Sequence, residues 1–103
     1  MKPSETAASE APSELPALLF VSRRQCGASR RMESLVAWVR VTQKKRLRVV
    51  DVDADERPEI AGRLGVTETP SLVLIKDRHV VGRLDGRVTG REIDDLIRAH
   101  LAA

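Results

Sequence analysis

Thr69-Pro70-Ser71-Leu72-Val73-Leu74-Ile75-Lys76 is the stretch from which the architecture can be read. Ser71 to Lys76 is an apolar run of strand length, and a proline just before it suits a strand entrance rather than a strand interior. Asp77 and Arg78 then supply a turn, and His79 to Leu84 returns as the second arm of a hairpin. Gly86 breaks that arm. Thr89 is placed to cap a final helix reaching about Leu101, with Glu92 at the third helical position completing a capping box. Ile93, Leu96, Ile97 and Leu101 fall on one face of that helix and form its buried stripe.

Upstream of the quoted stretch the pattern alternates. Asp55 reads as the N-cap of a short helix through Leu64, with Pro58 in its first turn and Gly65 ending it. Leu47 to Val52 is β-branched and strand-like. Before it, Ala28, Met32, Leu35, Val36 and Val39 recur at helical spacing, so a helix runs from Gly27 and closes in the basic turn Thr42 to Arg46. Ala17 to Val21 is another apolar strand, and polar Ser22 to Gln25 joins it to the helix. The predicted order is β-α-β-α-β-β-α, an α/β chain with helices packed on a mixed sheet. Its first two strands are parallel and joined by a right-handed crossover.

Composition bounds the rest. A chain of 103 residues makes one domain, with a core of leucine, isoleucine and valine because Phe20 and Trp38 are the sole aromatics. Residues 1–16, rich in Ser, Ala, Pro and Glu without apolar periodicity, read as a disordered tail, and 17–103 as the domain. No apolar core of a secretory signal follows Lys2, and the run from Leu15 to Val21 is too short to span a membrane. The expected location is therefore the cytoplasm, with no membrane partner. The single cysteine excludes an intrachain disulfide, and no Cys/His/Asp/Glu spacing reads as a metal site. Between Leu18 and Arg48 there are nine basic residues against one acid, Glu33, so the surface around Cys26 is expected to be positive. That suits an anionic thiol ligand or an acidic protein partner. Lys44-Lys45-Arg46 reads as a solvated helix end, and with two aromatics in all, nucleic acid is not an expected partner.

From about Ala17 onward the chain resembles the thioredoxin family without that family's first strand and helix. The residues that carry the resemblance are Leu18-Leu19-Phe20-Val21 ahead of Cys26-Gly27-Ala28-Ser29, then V-D-V-D-A-D-E-R-P-E-I-A-G-R-L-G-V-T-E-T-P-S-L-V-L-I-K from Val50 to Lys76, then Gly86 and the terminal helix. The resemblance implies a thioredoxin-like fold, with a four-stranded mixed sheet flanked by three helices. It makes Cys26 the nucleophile of a thiol–disulfide oxidoreductase. It makes Pro70 a cis-proline facing that cysteine, with Thr69 offering its backbone to an extended substrate. Gly27, Arg24 and Arg30 complete the implied substrate-binding set. No cofactor is implied, and the chain is expected to act as a monomer.

The departures from the pattern bear on mechanism. Ser29 stands where the family has its resolving cysteine, Gln25 where it usually has Trp, Phe20 where it carries a buried acid, and Asp51 where it often carries a lysine. Asp51 offers a carboxylate from the neighbouring strand in place of the missing one. A thiolate at a helix N-terminus, flanked by Arg23, Arg24, Arg30 and Arg31, is stabilised by the helix dipole and by positive charge. The Cys26 thiol is therefore expected below its free-solution value. With a hydroxyl at Ser29, a mixed disulfide on Cys26 has no internal thiol to release it. Turnover then requires an external thiol, as in monothiol glutaredoxins. A second reading treats the chain as a redox-inactive adaptor on the same fold. V-V-D-V from Val49 and V-T-E-T-P-S-L from Val66 are also similar to the clock protein family KaiB.

Overall fold

The computed structural model describes residues 15–23 and 27–101, without the side chains of 27–30. The expected tail, apart from Leu15 and Pro16, lies outside the described residues. Four strands and three helices follow the predicted order. They are β1 (Ala17–Ser22), α1 (Gly27–Thr42), β2 (Arg48–Asp53), α2 (Pro58–Arg63), β3 (Ser71–Lys76), β4 (His79–Asp85) and α3 (Gly90–Leu101).

The strands form one sheet in the order β2-β1-β3-β4. β1 runs parallel to β2, with Phe20 beside Asp51, and antiparallel to β3, with Val21 beside Ser71. The side-chain period of two divides each strand between two cores. Leu18, Phe20, Leu72 and Leu74 face α1 and α3, where Met32, Val36, Val39, Ile93 and Ile97 close the larger core. Val21 and Val52 face the other way and pack with Ala54 and Ala61 under α2. Two helices thus cover one face of the sheet and one short helix covers the other.

Local chemistry sets the boundaries. Thr89 and Glu92 form the reciprocal capping box, Thr89 Oγ1 accepting from the Glu92 N–H at 3.2 Å and Glu92 Oε1 accepting from the Thr89 N–H at 2.9 Å. Asp77 and Arg78 both have positive φ, 54° and 69°, the backbone of a two-residue hairpin whose twist matches that of its strands.

The start of α2 differs from the expectation. Asp55 is not its N-cap. Arg57 precedes the helix, with φ −128° and ψ 59° and no side-chain capping bond, and Pro58 lies in the first turn. The physical reason is Pro58 itself, whose ring disfavours helical backbone at the residue before it. Asp53 does the capping work two residues earlier. Its Oδ1 accepts from the Asp55 N–H at 2.8 Å and the Glu56 N–H at 3.3 Å, while its carbonyl accepts from the Arg57 N–H at 2.8 Å. Asp55 turns outward to an exposed ion pair with Arg23 at 3.6 Å.

Candidate active site

One end of the sheet gathers four chain segments. β1 ends there at Ser22, and β2 ends beside it, the Ala54 N–H donating to the Ser22 carbonyl at 2.8 Å. β3, antiparallel to both, begins there at Ser71 just after Thr69-Pro70. β4 ends there, with the Gly86 N–H donating to the Pro70 carbonyl at 2.7 Å. Ligand sites of open α/β sheets form at the carboxyl ends of the parallel strands, and this is that end.

Of the sequence-predicted residues, Thr69 and Pro70 lie at this end of the sheet. Thr69 is partly exposed and Pro70 is buried, and the peptide bond between them is cis. Gly27 is the first residue of α1. Ser29 and Arg30 lie in the first turn of that helix, their side chains outside the description. Arg24 and Cys26 lie outside the described residues. β1 ends at Ser22, one residue beyond the Val21–Ser71 pair, at the end of the sheet that holds Thr69-Pro70.

Beneath α1 is a cleft of about 630 Å³ lined in part by Phe20, Glu33, Val36, Arg40 and Asp51. Asp51 is exposed and bound to Arg40, whose Nη2 donates to its Oδ2 at 3.1 Å. The carboxylate that the neighbouring strand offers is thus a solvent-facing one beside the buried Phe20 ring.

Sequence reasoning missed the network that holds the Thr69-Pro70 loop. Arg83 of β4 reaches across to the end of α2, Nη1 donating to the Leu64 carbonyl at 3.0 Å and Nη2 to the Gly65 carbonyl at 3.2 Å. Nη2 also donates to Asp85 Oδ1 at 3.1 Å. The fully buried Ser71 hydroxyl lies 2.8 Å from the Glu68 carbonyl and 2.9 Å from Asp85 Oδ1, one proton between two acceptors. Glu68, Ser71, Asp85 and Arg83 therefore lash both sides of Thr69-Pro70 to β4 and α2. The Arg83 hydrogen bond first, and that of Ser71 second, hold the Asp85 carboxyl below the usual carboxylate range, with partial burial opposing them. A signal existed in the sequence. Arg83 and Asp85 are two apart in a strand, so opposite charges share one face.

The family model described as Thioredoxin matches residues 8–99. The chain belongs to the thioredoxin family. Its relatives include the thioredoxin of Listeria monocytogenes, 30% identical over 76 residues that make up 74% of each protein. The thioredoxin of Bacillus subtilis is 29% identical over 76 residues, 74% of this chain and 73% of that one. Among solved structures, a point-mutant thioredoxin from Halobacterium salinarum superposes with a TM-score of 0.81 at 24% identity, covering 88% of this chain and 79% of that one. Mitochondrial thioredoxin 3 from Saccharomyces cerevisiae gives 0.75 at 25% identity, covering 82% and 77%. The thioredoxin-like fold, with its four-stranded mixed sheet and three helices, is thereby established, and with it a thioredoxin-family redox protein. Among the described residues no helix is long and apolar enough to cross a membrane.

Proposed function

We propose that the protein is a thiol–disulfide oxidoreductase that works through one nucleophilic cysteine, Cys26. The observation that carries this reading is the pairing of a single cysteine, in Cys26-Gly27-Ala28-Ser29, with membership of a family of redox proteins. The Cys26 thiolate attacks one sulfur of a substrate disulfide. That S–S bond breaks, a mixed disulfide forms, and the departing substrate sulfur takes a proton from solvent. A low-molecular-weight thiol then attacks Cys26 Sγ and releases the second substrate thiol. Another equivalent of that thiol frees Cys26. Two electrons pass from two external thiols to the substrate disulfide, and the external thiols leave as their own disulfide.

Ser29 hydrogen-bonds the thiolate without competing as a nucleophile. Thr69 presents its backbone to an extended substrate segment alongside Pro70, and Gly27 leaves room for that segment to approach. Arg24 and Arg30 favour the thiolate and an anionic thiol or an acidic substrate face. The monomer acts in the cytoplasm, where external thiols are abundant.

The test is the pH dependence of Cys26 alkylation on the full chain, read by mass spectrometry, followed by exposure to oxidised glutathione. The expected result is an alkylation midpoint below the free-thiol value and a Cys26 adduct that added thiol clears and that Cys26→Ser abolishes. A midpoint at or above the free-thiol value, or no adduct in the native state, overturns the reading.

A further inference from the structure

The chain's one tryptophan is not in its core. Trp38 is 53% exposed, and Val41, three residues further along α1, is 70% exposed. Among the described residues the buried stripe of α1 is Met32, Val36 and Val39, with partly buried Leu35 packed against the same core. Positions 35, 38 and 41 are successive neighbours at i, i+3 on a second helical face. Beside them, between α1 and the first half of α3, runs a shallow groove of about 780 Å³ whose walls include Leu35, Trp38, Arg91 and Asp94. Gly90 forms part of its floor, where a Cβ would lie 3.5 Å from Leu35 Cδ2.

Positive charge surrounds this apolar strip. Exposed Arg31 lies before it on α1 and exposed Lys45 beyond it, and Arg91 and Arg98 flank it from α3. The one acid in the groove wall, Asp94, is bound to Arg98 at 3.0 Å. That pair cancels, so the net charge of the groove wall is the positive one of Arg91, joined by Arg31 and Lys45 beyond the two ends of the strip. An exposed apolar strip with a net positive rim suits a partner of the opposite charge, and Trp and Arg are among the residues that most often anchor such contacts.

We propose that the groove between α1 and α3 docks an acidic amphipathic helical segment of a partner protein, with Trp38 as its anchor. The recognition mode is a helix laid in a groove, its apolar residues at i, i+3, i+4 and i+7 on Leu35, Trp38 and Val41 and its acids on the arginines. A second copy of this chain fits less well. Two α1 helices packed antiparallel about Trp38 would set Arg31 of each against Lys45 of the other, like charge on like. A flat lipid surface would not enter a groove walled by two helices. Neither Thr69 nor Pro70 lines this groove, and the inference stands independently of the monothiol mechanism.

Trp38 is its own reporter. The full chain is titrated with a helical peptide of Leu at i, i+3, i+4 and i+7 and Glu elsewhere, and Trp38 emission is followed. The expected result is a saturable blue shift that weakens with salt, that the same peptide with Lys for Glu does not produce, and whose midpoint Val41→Glu or Arg91→Glu moves at least tenfold. Both positions are exposed, and circular dichroism checks that each variant is folded. No shift, an equal shift from the Lys peptide, or midpoints unmoved in both variants overturns the proposal. So does a blue shift that follows protein concentration alone with the mass of two chains in sedimentation. A shift from phosphatidylglycerol vesicles, with none from the Glu peptide, overturns it in favour of a lipid surface.

Discussion

Arg83→Ala tests whether the loop carrying Thr69-Pro70 is held by one side chain. The substitution removes three hydrogen bonds, those to the Leu64 and Gly65 carbonyls and that to Asp85. Hydrogen bonds to a charged group contribute about 1.5–3 kcal/mol each when sheltered. Arg83 is 34% exposed and Asp85 40%, so the ion pair is discounted to about 0.5 kcal/mol for screening. The two carbonyl bonds count at roughly 1 kcal/mol each at this exposure. Against them stands the buried Arg83 Nε, which has no partner among the described residues, and its removal returns up to about 1 kcal/mol. The expected net loss is about 1.5 kcal/mol, which lowers the melting midpoint of a domain of this size by about 6–12 °C. Urea unfolding followed by Trp38 emission measures it, and hydrogen exchange across residues 64–70 shows where the loosening occurs. A double-mutant cycle with Asp85→Asn should leave a coupling of about 0.5 kcal/mol. If Arg83→Ala lies within about 0.5 kcal/mol of the parent and exchange over 64–70 is unchanged, the loop is held by packing and the network is incidental.

Asp85 also sets a pH dependence. Its carboxyl is held below its ordinary value of 3.8, so its contribution is fully present above that value and is lost as pH falls through the lower folded value. The urea midpoint of the parent chain should therefore fall more steeply below about pH 4 than that of Asp85→Asn, and parallel curves would refute the assignment. Thr89→Ala removes the acceptor for the Glu92 N–H and should cost about 1 kcal/mol, read as a lower midpoint in urea, while Thr89→Ser should restore most of it. Gly86→Ala forces a side chain into a backbone at φ +78° and should cost about 1–2 kcal/mol by the same measurement, because the left-handed region is disfavoured for L-residues.

Most of the architecture is legible in the sequence because its signals are short-range. Periodicity of two or 3.6 residues marks the strands and the long helices, and the bounds that differ, such as β2 at Arg48–Asp53 rather than Leu47 to Val52, differ by one residue. The capping box at Thr89 and Glu92 is a contact three residues long and needs no tertiary context. The start of α2 departs from the expectation because two local rules compete there, and the steric effect of Pro58 on Arg57 outweighs the capping preference of Asp55. Of the candidate site, Thr69 and Pro70 could be found by resemblance, while Ser71, Arg83 and Asp85 could not.

The chain by itself determines the order of elements and the single cysteine with its C-x-x-S neighbourhood, since each depends on residues a few positions apart. The division of Phe20 and Val21 between two cores needs the helices that pack on the two faces. Only the tertiary structure decides that the ends of β1, β2 and β4 and the start of β3 meet at one end of the sheet. It also decides that Arg83 spans 18 and 19 positions to the Gly65 and Leu64 carbonyls, and that Trp38 faces outward beside α3. These are contacts between segments distant in sequence. They form when burial of the two apolar faces fixes the register of the sheet, and local spacing carries no record of them.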